Sequence, residues 1–225
     1  MKIIGNGMIA ESFKTYNFKS VCVFASGVAD STENDILKYK KEYDLLKQVL
    51  IKNKNNIIVY FSTLSVLRYD YTNYVKHKLF MESYIENNST NFLILRLPNV
   101  VGNTKNKKQL LPFMYNSLLN NDIIQVKNGT YRDLIDVDDL PKIVNFLINE
   151  KINGKLNITL DNKIKVIDIV NYLIKINKIN GHKIELLNDN ESILYDNHIS
   201  KYYNDLNIKN LNTNPYQIIK KYYKK

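Results

Sequence analysis

The sequence predicts an α/β fold built on a parallel β-sheet, because short apolar segments alternate with stretches of helical periodicity. The apolar segments are typical of buried strands and run over residues 2–4, 21–24, 57–61 and 92–95. In an open parallel sheet, ligands bind beyond the carboxyl ends of the strands. We therefore expect residues that follow these segments to share one ligand-binding edge, namely Gly5, Ser26, Thr63 and Asn99.

Helical periodicity separates and follows these segments. Apolar residues recur at helical spacing between Asp35 and Lys52, and a second helix is predicted over residues 74–86. Further along the chain, helices are predicted over residues 110–120, 140–149, 166–176 and 215–223, with a strand over 156–160. No internal repeat and no long linker interrupts this order, so we expect one compact unit.

The composition is that of a globular protein, with 44% hydrophobic and 24% charged residues in a chain of 225. Cys22 is the only cysteine and lies in an apolar run, so it cannot form an intramolecular disulfide and is expected to be buried. No apolar stretch reaches the length of a membrane span. We therefore expect a soluble, cytoplasmic protein without a membrane partner.

The formal net charge is +10, which could indicate a nucleic-acid partner. The lysines are scattered along the whole chain, however, and the Lys-Lys-Tyr-Tyr-Lys-Lys end is only a short cluster. We therefore expect no nucleic-acid partner. A general positive field would also attract a diphosphate ligand, so the charge discriminates weakly between substrates.

A glycine turn follows the first predicted strand and precedes a helical pattern. The segment Gly5-Asn6-Gly7-Met8-Ile9-Ala10 has the form GxGxxA. At this place it would direct backbone N–H groups and a helix N-terminus toward a phosphate. The alternative is a tight turn that happens to contain glycines.

Tyr74 and Lys78 are spaced by four residues on a predicted helix, so they would share one helix face. An ammonium there would lower the pKa of the phenol, which could then exchange a proton with a carbonyl or an alcohol. Thr63, at the preceding strand end, could hydrogen-bond the same substrate oxygen. With 17 tyrosines in the chain, the Tyr-x-x-x-Lys spacing also arises by chance, and Ser62-Thr63 could be a simple turn.

In this order, the motifs resemble the extended short-chain dehydrogenases/reductases, specifically the NAD-dependent epimerase/dehydratase branch that modifies sugar nucleotides. Residues 95–102 match its Arg-x-x-Asn-x-x-Gly segment, and residues 129–140, which contain Arg132, give the most specific match. The resemblance covers residues 3–145, with fainter similarity at 156–158 and near Ser200-Lys201.

The resemblance implies a Rossmann-like sheet with a small C-terminal substrate-binding lobe, NAD or NADP as cofactor and a sugar nucleotide as substrate. Residues 1–102 would form the dinucleotide-binding core, and residues 103–225 mainly the lobe, with part returning to the core. Catalysis is then expected from Tyr74, Lys78 and Thr63. The cofactor would contact Gly5, Asn6, Gly7, Met8, Ile9, Ala25, Ser26, Gly27 and Lys78. The substrate would contact Asn99, Gln109 and Arg132, of which Arg132 would bind the diphosphate.

The chain departs from the family pattern between Tyr16 and Val21, where relatives have two more strands and a helix. We therefore expect an abbreviated sheet that lacks the usual second and third strands. The missing segment normally carries the residue that distinguishes NAD from NADP. The dinucleotide site is accordingly expected to be weak, incomplete or rebuilt by a partner subunit in a homodimer.

The leading functional hypothesis is a reductase or epimerase that acts on a nucleotide-diphosphate sugar. A 4-keto reductase is slightly preferred, because Thr63 is followed by Leu64-Ser65, not by the Asp-Glu pair of 4,6-dehydratases. The alternative is a non-catalytic sugar-nucleotide-binding protein or assembly subunit. No metal site is expected. His77, His182 and His198 lack ligand spacing, and helix capping by Asp138 or Asp139 explains the acidic residues of this segment better than a metal site does.

Overall fold

A computed structural model describes residues 1–67, 71–188 and 210–224. The chain divides into two compact units. The first comprises Met1–Leu97 and Asp138–Ile158, and the second comprises Pro98–Val137 and Thr159–Lys225. The substrate-binding role expected for residues 103–225 stays a prediction, and the similarity near Ser200-Lys201 lies outside the described residues.

Strands and helices alternate through the first half of the described chain. The strands are β1 (Lys2–Ile4), β2 (Val21–Phe24), β3 (Ile57–Thr63), β4 (Phe92–Leu97), β5 (Asn99–Val101), β6 (Ile123–Lys127), β7 (Tyr131–Arg132), β8 (Leu134–Asp136), β9 (Gly154–Asn157), β10 (Ile164–Lys165) and β11 (Lys183–Leu187). The helices are α1 (Met8–Ser12), α2 (Ile36–Lys52), α3 (Asn73–Asn88), α4 (Leu110–Leu119), α5 (Leu140–Asn149), α6 (Val166–Asn177) and α7 (Pro215–Tyr223).

The first unit contains a parallel five-stranded sheet in the order β1-β2-β3-β4-β9. The apolar segments 21–24 and 57–61 become buried strands, as expected where a parallel sheet is covered on both faces. β1 pairs directly with β2, Ile4 lying opposite Phe24. β1 is therefore an edge strand, and the predicted α/β class with its abbreviated parallel sheet is confirmed.

The core of the first unit forms between the sheet and helices α2 and α3. Asp35 caps α2 by accepting a 2.9 Å hydrogen bond from the Leu37 amide, and Thr72 caps α3 by accepting one from the Val75 amide. Cys22 is buried in this core, as predicted. The largest cluster members come from both layers: Phe24, Leu46, Ile58, Tyr60, Met81, Ile85 and Ile94.

The second unit combines three strand pairs with helices α4, α6 and α7. β5 pairs with β8 and β6 with β11 in parallel, and β7 pairs with β10 in antiparallel orientation. Apolar faces of the three helices form the core, with Leu118, Val170 and Ile218 fully buried. Within the described part of the chain, no helix has the length and apolar character needed to cross a membrane.

Candidate active site

The glycine turn follows β1 and packs against Ala25, the residue that follows β2. Gly5 has a φ of +123°, and a Cβ atom there would lie 2.3 Å from the carbonyl oxygen of Ala25. Only glycine fits this approach of two backbones. The Ala25 amide in turn donates a 2.8 Å hydrogen bond to the carbonyl of Ile4. The turn is thus fixed by backbone contacts in the place that the sequence predicted.

Gly7 occupies the N-cap position of α1 and makes no side-chain cap hydrogen bond. No described atom lies within 4 Å of where its Cβ would be, so the space over this glycine is open. Met8 and Ile9 belong to the first turn of α1, whose amides have no acceptor within the helix. The segment from Asn6 to Ile9 therefore presents backbone donors beside an open space.

The structure brings the three predicted catalytic residues together. Thr63 is the last residue of β3, and Tyr74 and Lys78 lie one turn apart near the start of α3. The Thr63 side chain hydrogen-bonds the Tyr74 phenol, an interaction that lowers the pKa of the phenol. The Lys78 Nζ lies 5.8 Å from the centre of the Tyr74 ring. Their catalytic roles stay predictions.

Lys78 is only 3% exposed and is engaged by side chains that the sequence analysis did not identify. Its Nζ donates hydrogen bonds to Glu42 Oε1 at 2.9 Å and to the Tyr60 hydroxyl at 3.0 Å. Glu42 lies on α2 and is also buried, and its Oε2 lies 3.0 Å from His77 Nε2. Sequence reasoning missed this group because it joins residues of α2, β3 and α3.

Burial is the largest influence on the pKa of Tyr74. Removal of the phenol from water raises its pKa, the nearby Lys78 charge lowers it, and the Glu42 carboxylate raises it again. The net pKa lies above the ordinary tyrosine value, so Tyr74 is a neutral phenol at neutral pH. Lys78 acts in the direction that the sequence predicted, but burial outweighs it.

Lys78 remains charged despite its burial. Desolvation lowers the pKa of the ammonium, but interactions with Tyr60, Glu42 and Tyr74 raise it by more, and the net pKa is raised. Burial opposes ionisation of Glu42 as well, but the Lys78 charge and hydrogen bonds from His77 and Val28 lower the pKa of Glu42 to about 2. The result is a buried ion pair.

Arg96, from the Arg-x-x-Asn-x-x-Gly segment, supports the end of β3. Its Nη2 lies 2.6 Å from Glu82 Oε2, and its Nε donates to both oxygens of that buried carboxylate. Ser62 donates a 2.5 Å hydrogen bond to Glu82 Oε1. This cluster connects α3 to the ends of β3 and β4, directly beside Thr63.

The three predicted substrate-binding residues lie in the second unit. Asn99, on β5, donates from its amide and side chain to the carbonyl of Asp133, at 3.2 and 3.4 Å. Arg132 lies on β7, where its Nη1 donates to the carbonyl of Tyr131 at 2.8 Å. Gln109 precedes α4 and is half-buried. Asn99 thus contacts the segment that carries Arg132, whereas Gln109 belongs to another element.

Of the two acidic residues predicted to cap the next helix, Asp139 does not use its side chain as a cap. Asp139 occupies the N-cap position of α5, but its side chain makes no cap hydrogen bond and instead accepts from Lys142 Nζ at 2.6 Å. Asp136 is buried and accepts hydrogen bonds from Lys221 at 2.8 Å and Tyr222 at 2.5 Å. Among the residues that the structure describes, no group of three His, Cys, Asp or Glu side chains could hold a metal ion.

Solved structures with this fold include sugar-nucleotide enzymes. The WbmH enzyme of Bordetella bronchiseptica in complex with NAD+ has a TM-score of 0.65 at 23% identity, over 82% of this chain and 68% of that one. UDP-glucose-4-epimerase of Stenotrophomonas maltophila, with NAD and formylated UDP-arabinopyranose, has a TM-score of 0.65 at 14% identity, over 89% and 73%. A dTDP-4-dehydrorhamnose reductase of Clostridium acetobutylicum has a TM-score of 0.65 at 18% identity, over 84% of each chain. At these identities the likeness shows the fold.

The sequence itself matches a family model over part of its length, whereas no curated protein matches it. The model is that of the NAD dependent epimerase/dehydratase family, and it matches residues 61–159. The matched segment contains the candidate catalytic and substrate-binding residues, but not the glycine turn or Ala25–Gly27. The resemblance to the NAD dependent epimerase/dehydratase family, expected from the sequence, is therefore confirmed over residues 61–159.

Proposed function

We propose that this chain is a nicotinamide-dependent oxidoreductase that reduces a keto group on a nucleotide-diphosphate sugar. The observation that carries the proposal is the cluster of Thr63, Tyr74 and Lys78 at the carboxyl end of β3, with a neutral phenol at its centre. A protonated Tyr74 suits reduction, in which the alkoxide oxygen must receive a proton.

The described residues could bind two parts of a dinucleotide, its pyrophosphate and its nicotinamide ribose. The backbone of Gly5–Ile9 beside the open space over Gly7 would bind the pyrophosphate. Ala25–Gly27 and Lys78 would contact the nicotinamide ribose. β1 is an edge strand of the described sheet, so no described strand lies beyond it to contact the adenosine. When bound, the reduced nicotinamide supplies a hydride to the sugar carbon.

Residues of the chain itself bind and protonate the oxygen of the keto group. Thr63 and Tyr74 hydrogen-bond that oxygen, and the Tyr74 hydroxyl transfers its proton to it. Lys78 stays charged and orients the cofactor ribose. Arg132 binds the substrate diphosphate through paired N–H donors, and Asn99 and Gln109 contact the remaining sugar nucleotide.

Turnover measurements test this proposal directly. The chain is mixed with NADH or NADPH and a panel of UDP-, GDP-, CDP- and dTDP-4-keto sugars, and loss of absorbance at the nicotinamide band is followed. We expect oxidation of the cofactor with at least one sugar, and none with Tyr74→Phe, whose ring and fold are retained. Equal rates for the variant and the wild type would remove Tyr74 from the mechanism.

One observation favours a second candidate, a sugar-nucleotide-binding protein without catalysis. The direct pairing of β1 with β2 leaves the dinucleotide with less protein to contact. Calorimetric binding of a sugar nucleotide together with no detectable binding of NADH or NADPH would favour this candidate over the reductase.

A further inference from the structure

Glu42 has four hydrogen-bond donors around its carboxylate, although it is 5% exposed. Oε1 accepts from Lys78 Nζ at 2.9 Å and from the Tyr60 hydroxyl at 3.0 Å. Oε2 accepts from the Val28 amide at 2.8 Å and lies 3.0 Å from His77 Nε2, which must carry the proton to bond an ionised carboxylate. A carboxylate offers about four acceptor sites, so all of them are used.

The loop that follows β2 packs directly against this ion pair. A Cβ atom at Gly27 would lie 2.7 Å from Glu42 Oε1 and 3.0 Å from Lys78 Nζ. Glycine at this position therefore lets the backbone approach both charges closely. Together with the Val28 hydrogen bond, this contact fixes the loop and the ammonium relative to each other through one carboxylate.

Lys78 has three N–H donors, of which two are directed to Glu42 and Tyr60. The third has no hydrogen-bond partner among the described residues and is the one available to a bound ligand. A buried ammonium without a counter-charge would be unstable. The Glu42 carboxylate therefore keeps Lys78 charged and also fixes the position of its Nζ atom.

We propose that Glu42 is a positioning residue of the active site, which holds the Lys78 ammonium beside Tyr74 and connects it to the Ala25–Val28 loop. The inference rests on the proposed function, because it assigns Lys78 and this loop to the cofactor ribose. Glu42 touches neither cofactor nor substrate and acts through Lys78.

Several titratable groups besides Glu42 influence the electrostatic environment of Lys78 and Tyr74. They come from the loop after β2, from α2, from β3 and from α3: Asp30, Tyr39, Tyr60 and His77. Among the residues that the structure describes, Glu42 is the one negative charge in direct contact with Lys78 at neutral pH.

The first variant is Glu42→Gln, which keeps the size of the side chain and removes its charge. The Lys78 pKa is followed by NMR of protein labelled with [13Cε]lysine, with Lys78→Met identifying the resonance, and NADH affinity by fluorescence titration. We expect the Lys78 pKa to fall, since the Glu42 charge no longer offsets the desolvation of the ammonium. NADH Kd is expected to rise about tenfold or more.

The matched control is Glu82→Gln, because Glu82 is an equally buried, ion-paired carboxylate of the same unit that contacts Arg96 and Ser62 instead of Lys78. It should lose stability as Glu42→Gln does, but keep the Lys78 titration and the wild-type NADH Kd. Equal effects of both variants on NADH Kd would show a merely structural role and overturn the inference.

Glu42→Asp keeps the test decisive if Glu42→Gln does not fold. It retains the charge but withdraws the carboxylate by one methylene group, so NADH should bind more weakly although Lys78 remains charged. Wild-type NADH affinity in Glu42→Asp would overturn the inference. So would an unchanged Lys78 pKa in folded Glu42→Gln, whether or not NADH binds. A shifted Lys78 pKa in a protein whose wild type binds no dinucleotide would overturn the proposed function alone.

Discussion

Arg96 and Glu82 form a bidentate ion pair, with Nη2 2.6 Å from Oε2 and Nε 3.0 Å from Oε1. Glu82 is buried and Arg96 is half-buried, so the pair stabilises the end of β4 only while both members are present. Removing one member leaves a charge in a site with little water.

We predict that Arg96→Met lowers the free energy of unfolding by about 3 kcal/mol, the cost of leaving one member of a buried pair uncompensated. Urea unfolding followed by circular dichroism measures the change. The variant Lys14→Met is the control, because Lys14 forms an exposed pair with Glu11 that should contribute little. Similar stability of the two variants would contradict the structural role of Arg96.

The glycine turn allows a comparison of two neighbouring glycines. We predict that Gly5→Ala lowers the free energy of unfolding by about 2 kcal/mol or more, because φ at this position is +123° and the new Cβ meets Ala25. Gly7→Ala should unfold like the wild type, since its Cβ enters open space. Thermal and urea unfolding of the two variants check this order, and a destabilised Gly7→Ala with a stable Gly5→Ala would refute it.

Glu42 makes stability depend on acid pH. Its pKa is lowered to about 2 in the folded chain, whereas an unfolded chain has an ordinary value of 4.5. A lowered folded pKa stabilises the fold above the unfolded value, and this contribution disappears as pH falls from about 4.5 to about 2.

The shift corresponds to about 3 kcal/mol of stability at neutral pH. We predict that the free energy of unfolding falls more steeply between pH 5 and about 2.5 in the wild type than in Glu42→Gln. Urea unfolding at a series of pH values measures both slopes. Parallel curves would mean that Glu42 is not the group that titrates.

The sequence predicted the parts of fold and site that depend on neighbouring residues. The glycine turn, the ends of β2 and β3, and the one-turn spacing of Tyr74 and Lys78 are all local patterns. The order of those patterns, through the family resemblance, was sufficient to place Thr63 and Tyr74 in one candidate site.

Glu42 was missed although a signal was present. It lies on the same side of α2 as Tyr39, Leu46 and Val49, so a charged residue occupies a core-facing position. Lys40 and Lys41 directly precede it, so in the sequence Glu42 looks like part of a charged, solvent-facing segment. Its partners come from separate elements, and no periodicity of one helix indicates which charge it meets.

Arg132 is expected to bind the diphosphate of the substrate. We predict that Arg132→Ala weakens sugar-nucleotide binding by about 1.5–3 kcal/mol, the range for a hydrogen bond to a charged group, and leaves dinucleotide affinity unchanged. Calorimetry with a UDP- or dTDP-sugar and with NADH measures both affinities. Equal losses for the two ligands would indicate that Arg132 has a structural role instead.

The last prediction concerns the edge strand β1. In the proposed site the pyrophosphate meets Gly5–Ile9 and the nicotinamide ribose meets Lys78. Among the strands that the structure describes, none lies beyond β1 to contact the adenosine ribose. Two missing hydrogen bonds at about 1 kcal/mol each correspond to a roughly 30-fold loss of affinity. The lost apolar burial weakens binding further.

We therefore predict weak dinucleotide binding with little preference between NADH and NADPH, because the described residues offer no strand beside β1 that could make the contact distinguishing the two cofactors. Fluorescence titrations with both cofactors, at low and at high protein concentration, measure affinity and preference together. If a second copy of the chain supplies the adenosine contacts, affinity should rise with protein concentration, and sedimentation should show dimers over the same range. Tight and selective binding by a monomer would contradict the prediction. It would mean that another element of the same chain contacts the adenosine beside β1.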